Sequence, residues 1–303
     1  FHTFTVDSNG ERGLLDVAFD PAFATNGFVY CYHTVPGTAS SAAHNRVSRL
    51  HVNAAAPDIS DGTDTDLLDL NDLSSATNHN GGGLHFGLDG ELYISVGENA
   101  DPSNSQSKTT LLGKILRMNA DGSIPTDNPF YGDASFTGVY KLIWAAGLRN
   151  PFTFAVQPGT GRIFLNDVGS SPPQAREEIN DGIGGSNYGW NLAEGIVATP
   201  PAVPFGTYRN PLFAYDHSSG ACAIAGGAFY DPATAVYPTA YVGRYFYADL
   251  CGGWVHVFNL ASSSSIDLLG GFNEPVDVQL GPDGLIYVLG HGDGTVWRIT
   301  FTP

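Results

Sequence analysis

The chain has 303 residues, of which 30 are acidic and 13 basic, and its formal net charge is −17. A chain this acidic repels nucleic acids and anionic lipid surfaces, so neither is an expected partner. Its 42% hydrophobic and 12% aromatic residues allow a large core, yet no apolar run reaches the roughly 20 residues of a membrane span, so we expect no membrane insertion. The 38 glycines and 19 prolines indicate short strands and turns rather than helices.

The first predicted element is a β-hairpin, in which residues 15–21 run through a turn into residues 27–32. Four further hairpins of the same type follow in chain order: 84–90 into 92–97, 154–161 into 162–169, 225–232 into 243–249, and 278–284 into 285–290. Additional strand-like segments follow the hairpins, at 47–52, 114–119, 254–260 and 295–301. Four-stranded antiparallel sheets repeated about an axis are typical of a β-propeller, so the sequence predicts this all-β fold.

The repeats are unevenly spaced because insertions separate them, at residues 53–76, 99–112, 120–146 and 169–224. Long loops on one face of a propeller are where binding sites are built. We interpret the acidic stretch 58–72 as a loop within one blade, and we predict one propeller domain over residues 1–303. Five hairpins predict either five blades or a sixth that is incomplete. The strand-like pattern at Phe1 leads us to expect a removed signal, a pro-segment or an upstream domain before it.

The three cysteines fall into two environments. Cys222 and Cys251 lie in neighbouring strand-like segments, 220–230 and 245–258, and we predict that they form a disulfide. Such a bond would place the protein outside the cytosol, that is, secreted or periplasmic. Cys31 lies in an apolar strand and is predicted to be a buried free thiol.

One loop stands out for its chemistry. Residues 77–83 bring Asn78, His79 and Asn80 beside three glycines, directly before the second hairpin. Glycines let a ligand approach the backbone closely, so an imidazole and two amides here predict a binding or catalytic site. The alternative is that these residues only form the turn and that His79 is a surface side chain.

Six short motifs stand in order along nearly the whole chain. They are Gly10-Glu11-Arg12-Gly13-Leu14-Leu15, His79-Asn80-Gly81-Gly82, Leu112-Gly113-Lys114-Ile115-Leu116-Arg117, Gly147-Leu148-Arg149-Asn150-Pro151, Glu177-Glu178-Ile179-Asn180 and Asn187-Tyr188-Gly189-Trp190. Together they resemble the motifs of the soluble quinoprotein glucose/sorbosone (aldose sugar) dehydrogenases. The resemblance implies a six-bladed β-propeller, with one blade incomplete in this chain. It also implies pyrroloquinoline quinone (PQQ) and Ca²⁺ as cofactors, an aldose as substrate and an external electron acceptor.

The resemblance implies specific catalytic residues. His79 matches the family's general base, which takes the C1 hydroxyl proton of the sugar while the hydride leaves for the quinone; a neutral imidazole suits that role. Glu98 falls where family members carry the carboxylate that orients this imidazole. Arg149 matches the family's cofactor-facing arginine, whose guanidinium stabilises charge on a quinone oxygen.

The same comparison implies cofactor and metal ligands. Glu11, Asn78, Arg149 and Asn150 stand at positions expected to contact PQQ. Gly169 and Ser170 match the turn whose carbonyl oxygens bind the cofactor's calcium, and Glu178 is a candidate ligand of a second, structural calcium. The alternative for Glu178 is an exposed acidic loop.

Departures from the family pattern leave other functions open. PQQ carries three carboxylates, which well-studied members meet with further Lys and Arg side chains, whereas this chain places Asp231 and the Gly252-Gly253 pair there. Gly83 also replaces a common arginine. A second hypothesis is therefore a non-catalytic propeller that binds carbohydrate or protein, as the hedgehog-interacting relatives of this fold do. A third, a hydrolase with paired carboxylates, has little support because no Asp/Glu pair stands out at the blade starts.

Overall fold

The computed structural model describes residues 1–173 and 175–301, which form an almost entirely β structure. In chain order the strands are β1 (Leu14–Phe19), β2 (Phe28–Val35), β3 (His44–Asn53), β4 (Ala56–Asp72), β5 (Leu84–Phe86), β6 (Leu92–Val96), β7 (Lys114–Met118), β8 (Ile143–Ala146), β9 (Pro151–Val156), β10 (Ile163–Asp167), β11 (Glu177–Gly182), β12 (Ser186–Asn187), β13 (Thr207–Tyr208), β14 (Phe213–Tyr215), β15 (Ile224–Phe229), β16 (Tyr245–Asp249), β17 (Trp254–Asn259), β18 (Ser264–Gly270), β19 (Pro275–Leu280), β20 (Ile286–Gly290) and β21 (Thr295–Arg298). The helical elements are one α-helical turn, α1 (Phe23–Asn26), and three 3-10 turns, Pro102–Gln106, Gly138–Leu142 and Thr239–Tyr241.

These strands form five sheets. Four sheets contain four antiparallel neighbours each, namely β1-β2-β3-β4, β5-β6-β7-β8, β9-β10-β11-β14 and β15-β16-β17-β18, and the fifth is β19-β20-β21. The second sheet is extended beyond β8 by β12 and β13, which pair in parallel. Each predicted hairpin supplies the first two strands of one sheet. The predicted all-β propeller is therefore confirmed, and the described residues contribute five sheets to it.

The prediction of a loop over residues 58–72 is wrong. This stretch belongs to β4, which pairs with β3 along most of its length. Arg46 of β3 binds the carboxylates of Asp66 (2.7 Å) and Asp69 (2.5 Å) across the ladder. β4 is the outermost strand of its sheet, and most of its side chains face water. It is therefore stabilised by ion pairs across the ladder and lacks the alternating apolar residues by which the other strands were recognised.

The hydrophobic core lies between neighbouring sheets. Tyr32 and Val47 of the first sheet pack in one cluster with Ile94 of the second. Three similar clusters join the second sheet to the third, the third to the fourth and the fourth to the fifth. Face-to-face packing of successive sheets turns the first strand of each toward a common centre.

That centre is a cavity of about 720 Å³. Its wall includes Asp16 of β1, Thr153 of β9, Ala225 of β15 and Asp277 of β19, each on the first strand of its sheet. The first and fifth sheets both line the cavity. Each also has large apolar side chains that are exposed: Phe19 in the first sheet is 60% exposed, and Val296 in the fifth is 64% exposed.

The predicted disulfide is present. Cys222 and Cys251 are bonded, with their Cα atoms 5.4 Å apart, where the β15–β16 hairpin ends. Cys31 is a buried free thiol, as predicted. Within the described residues, no helix is both long and apolar enough to cross a membrane.

Candidate functional site

The site is built around the loop that precedes β5. His79 is 8% exposed and has φ = 58°, in the left-handed region that non-glycine residues rarely adopt. Such a conformation costs about 1–3 kcal/mol and persists only where the surroundings fix it. Here the N–H of His79 donates to Glu11 Oε2 (2.8 Å), and its carbonyl oxygen accepts from the N–H of Asn99 (3.0 Å). The loop is thus held from both sides.

The ring of His79 meets the carboxylate of Glu98, which follows β6. His79 Nδ1 is hydrogen-bonded to Glu98 Oε1, and the Glu98 residue is 1% exposed. An ionised carboxylate only accepts hydrogen bonds, so Nδ1 carries the proton and Nε2 carries the lone pair. With the proton on Nδ1, the Nε2 atom makes no bond to Glu98, an arrangement that can serve as a base. Glu98 Oε2 is buried without a hydrogen-bond partner among the described residues.

Glu11 holds the same loop instead of pointing free into the cavity. Its Oε2 accepts from the N–H groups of His79 (2.8 Å) and Asn80 (3.3 Å) and from Asn150 Nδ2 (3.2 Å). Glu11 and Asn150 also line the central cavity. Asn150 Oδ1 accepts from the N–H of Gly81 (2.9 Å), so it supports the loop from the third sheet.

Arg149 connects the His79–Glu98 pair to the start of β9. Its carbonyl oxygen accepts from the N–H of Glu98 (2.9 Å), and its Nη1 donates to the carbonyl oxygen of Val168 (3.0 Å). The guanidinium lies 5.6 Å from the centroid of the Trp190 ring, a cation–π distance. Asp167 accepts from the N–H groups of Arg149 and Asn150, which fixes the turn that presents both side chains.

A small acidic pocket lies beside Arg149. It encloses about 10 Å³ and is lined by Asp167, Glu178, Glu194 and Gly169 together with two arginines. Burial raises the pKa of Glu178 to about 7. Burial, and then the charge of Glu178, raise the pKa of Asp167 well above its usual range. Burial in this pocket therefore disfavours the ionised forms of Glu178 and Asp167.

Two of the candidate metal ligands, Gly169 and Glu178, line this pocket, and Ser170 is the next residue after Gly169. The N–H of Gly169 donates to Glu177 Oε1 (3.1 Å), and Ser170 donates to Glu194 through its N–H (2.6 Å) and Oγ (2.7 Å). Glu178 accepts from the N–H of Gly195 (2.6 Å). Among the described residues, no group of three or more His, Cys, Asp or Glu side chains is arranged to hold a metal ion.

Other predicted positions are placed differently. Asn78 is exposed, and its carbonyl oxygen accepts from Asn99 Nδ2 (3.4 Å). Asp231 accepts from Gln157 Nε2 (2.8 Å), a contact between the fourth and third sheets. The cavity wall carries the carboxylates of Asp16 and Asp277, and burial raises the pKa of both, to about 6 for Asp16.

Sequence reasoning missed two residues that organise this site. Asp167 accepts hydrogen bonds that fix the Arg149–Asn150 turn. The sequence feature that could have identified it is a carboxylate at the end of a strand that begins with Ile-Phe-Leu. Asn99 has φ = 55° and ties the His79 loop to the end of β6. Nothing in the local sequence distinguishes Asn99 from an ordinary turn residue.

Comparisons with known proteins show which family this chain is similar to. The family model described as glucose/sorbosone dehydrogenase matches residues 2–298. The aldose sugar dehydrogenase YliI of Escherichia coli K12 is 32% identical over 294 residues, which cover 93% of this chain and 75% of that protein. A solved structure of a glucose dehydrogenase has a TM-score of 0.83 at 30% identity, over 98% of this chain and 85% of that chain. The PQQ-bound aldose sugar dehydrogenase of Streptomyces coelicolor has a TM-score of 0.76 at 25% identity, over 97% and 81%.

Proposed function

Because the chain belongs to the glucose/sorbosone dehydrogenase family, we propose that it oxidises the C1 hydroxyl of an aldose to the lactone, with PQQ as the hydride acceptor. The observation that carries the proposal is the buried His79–Glu98 pair, which leaves His79 Nε2 as a free base. The relatives whose names describe sugar oxidation support the substrate class. The proposal takes residues 1–303 as one catalytic domain.

His79 moves the proton in this proposal. Oxidation of a hemiacetal removes the hydroxyl proton and the C1 hydride; the proton goes to His79 Nε2, and the C1–O single bond becomes the carbonyl of the lactone. Glu98 stabilises the resulting imidazolium and keeps its ring in place. PQQ, when bound, supplies the acceptor for the hydride, and an external acceptor then takes up the two electrons.

The residues around Arg149 fit an anionic quinone. A guanidinium has five N–H donors, and Arg149 uses one for the carbonyl oxygen of Val168, so it retains donors for a quinone oxygen or carboxylate. Trp190 Nε1 is a buried donor without a partner among the described residues. Arg149, Asn150 and Trp190 would therefore hold the cofactor. Glu11 would act mainly by fixing the His79 loop, and Asn78 would approach the ligand from the loop's exposed side.

We also propose that calcium binds beside Arg149, at the pocket of about 10 Å³. A cavity of this volume has room for one water-sized species, which suits a single ion. Ca²⁺ prefers carboxylate and carbonyl oxygens. Gly169 and Ser170, expected at the cofactor's calcium, would provide carbonyl oxygens. Glu178, expected at a second calcium, lines the same pocket as Gly169 and would give its carboxylate to the same ion. A cation there would offset the repulsion between the buried carboxylates of Glu178 and Asp167.

A second candidate function is a propeller that binds sugar or protein without oxidising it. The residues at two positions where well-studied members have basic anchors favour it. Asp231 accepts a hydrogen bond from Gln157 Nε2, and the N–H of Gly252 donates to Asp249 Oδ1. These positions offer PQQ no positive charge. The disulfide supports a secreted or periplasmic location for either function.

Reconstitution separates the two functions. The purified protein is incubated with PQQ and Ca²⁺, and dye-linked oxidation of glucose, galactose and arabinose is followed. Oxidation that depends on PQQ supports the dehydrogenase. Sugar binding measured by calorimetry, without any dye reduction, would support the binding propeller instead.

A further inference from the structure

A buried lysine lies at the start of β7. Lys114 is 0% exposed, and its Nζ donates to the carbonyl oxygens of Asn104 (2.7 Å), Ser105 (3.1 Å) and Leu112 (2.8 Å). These three carbonyl oxygens match the three N–H donors of the protonated side chain, and the neutral amine that burial favours can still donate to two of them. Among the described residues, no carboxylate forms an ion pair with Lys114. The side chain of Lys114 therefore holds three backbone carbonyl groups close to one another.

The carbonyl groups that Lys114 gathers belong to the loop between Glu98 and Lys114 itself. This loop contains the 3-10 turn Pro102–Gln106. Asn104 Nδ2 donates to the carbonyl oxygen of Glu98 (3.0 Å), and Ser105 Oγ donates to that of Leu148 (2.6 Å). One short turn is thus bonded to Glu98 and to the residue before Arg149.

The position of Glu98 depends on this support. Its carboxylate has one partner, His79, while Oε2 has none among the described residues. Its orientation is therefore set largely by its backbone. The N–H of Glu98 donates to the carbonyl oxygen of Arg149 (2.9 Å), and its carbonyl oxygen accepts from Asn104 Nδ2 (3.0 Å) and, at a longer distance, from the N–H of Asp101 (3.3 Å). A misplacement of about 1 Å at a catalytic group can reduce a rate by about 10²-fold.

We propose that Lys114 is a positioning residue, which holds Glu98 against His79 by fixing the 3-10 turn through the carbonyl groups of Asn104 and Ser105. The effect on rate rests on the proposed function. The effect on the His79–Glu98 hydrogen bond does not, because that bond joins two residues of this chain itself.

Three variants test the proposal. Lys114→Met removes the ammonium and keeps a long unbranched side chain, and Asn104→Ala removes only the bond to Glu98. Ser103→Ala is the matched control, because Ser103 lies in the same turn but its hydroxyl donates to Asp101 (2.7 Å). We expect Lys114→Met and Asn104→Ala to lower kcat at least tenfold while KM for the sugar and the PQQ affinity change less than about twofold. Ser103→Ala should leave all three unchanged.

A second readout uses the cofactor-free protein. The Nδ1 proton of His79 should give a downfield NMR resonance, assigned by its loss in His79→Ala. We expect the resonance to broaden or disappear in Lys114→Met and Asn104→Ala and to persist in Ser103→Ala. A folded Asn104→Ala variant with the wild-type resonance and wild-type kcat would overturn the proposal, even where Lys114→Met fails to fold. An inactive wild type would contradict the proposed function, and the resonance would still decide on Lys114.

Discussion

The imidazole of His79 and the carboxylate of Glu98, 19 residues apart in the chain, form a buried hydrogen-bonded pair. The backbone of His79 has a left-handed conformation, which hydrogen bonds to Glu11 and Asn99 fix. Glu98 lies in the turn after β6. Arg149 binds the backbone of Glu98, so the expected base, its orienting carboxylate and the expected cofactor arginine form one connected unit.

Arg149→Ala should weaken PQQ binding by about 10- to 100-fold and lower turnover, because a hydrogen bond to a charged group contributes about 1.5–3 kcal/mol. Arg162→Ala is the matched control. Arg162 also lies 5.6 Å from an aromatic ring centroid, that of Phe164, but it pairs with Asp181 (3.0 Å) and does not contact the site. The measurement is the dissociation constant of PQQ for both variants. Equal affinities would argue against Arg149 as a cofactor ligand.

Chelation should lower the melting temperature of the calcium-loaded protein. A ligand present at 100 times its dissociation constant stabilises the folded state by about 2.7 kcal/mol. Glu178→Gln should reduce this calcium-dependent shift, because it removes a charged oxygen ligand. Glu91→Gln, in the β5–β6 turn, serves as the control. If chelator leaves the melting temperature of the wild type unchanged, calcium does not bind here.

Lys114 should give the stability a specific pH dependence. Burial lowers the pKa of Lys114 from 10.5 to about 7 in the folded state. Between these values the unfolded chain binds more protons than the folded one, so this group's contribution to the free energy of unfolding rises with pH. It is fully present above the unfolded pKa and lost as the pH falls to about 7. Denaturant unfolding from pH 7 to 9.5 should show a smaller rise for Lys114→Met than for the wild type; identical slopes would contradict the shift.

The disulfide should be visible by thiol counting. The denatured, unreduced protein should expose one reactive thiol, that of Cys31, and the reduced protein three. Cys222→Ser combined with Cys251→Ser should lower the free energy of unfolding by about 2–4 kcal/mol, since the bond restricts the unfolded chain. Three reactive thiols before reduction would remove the support for a location outside the cytosol.

The sequence predicted those features whose signal is local. Alternating apolar residues around Asp89-Gly90 and Asp283-Gly284 identified hairpins, because one face of each strand is buried. β4 was missed because an outer strand exposed to water needs no such alternation. The pairing of His79 with Glu98 could be predicted from resemblance to a family. The contacts of Lys114 with Asn104 and of Glu11 with Asn150 could not, because they depend on how the loops fold back in three dimensions.

The most direct test of the account is anaerobic reduction of bound PQQ by an aldose, followed by absorbance in a single turnover. The wild type should reduce its PQQ, whereas His79→Ala should bind PQQ with similar affinity and reduce it about 10²- to 10⁴-fold more slowly, the usual loss for a positioned proton acceptor. His51→Ala, which removes a more exposed histidine paired with Asp61, should react at the wild-type rate. Reduction by His79→Ala at the wild-type rate would contradict the assignment of His79 as the base.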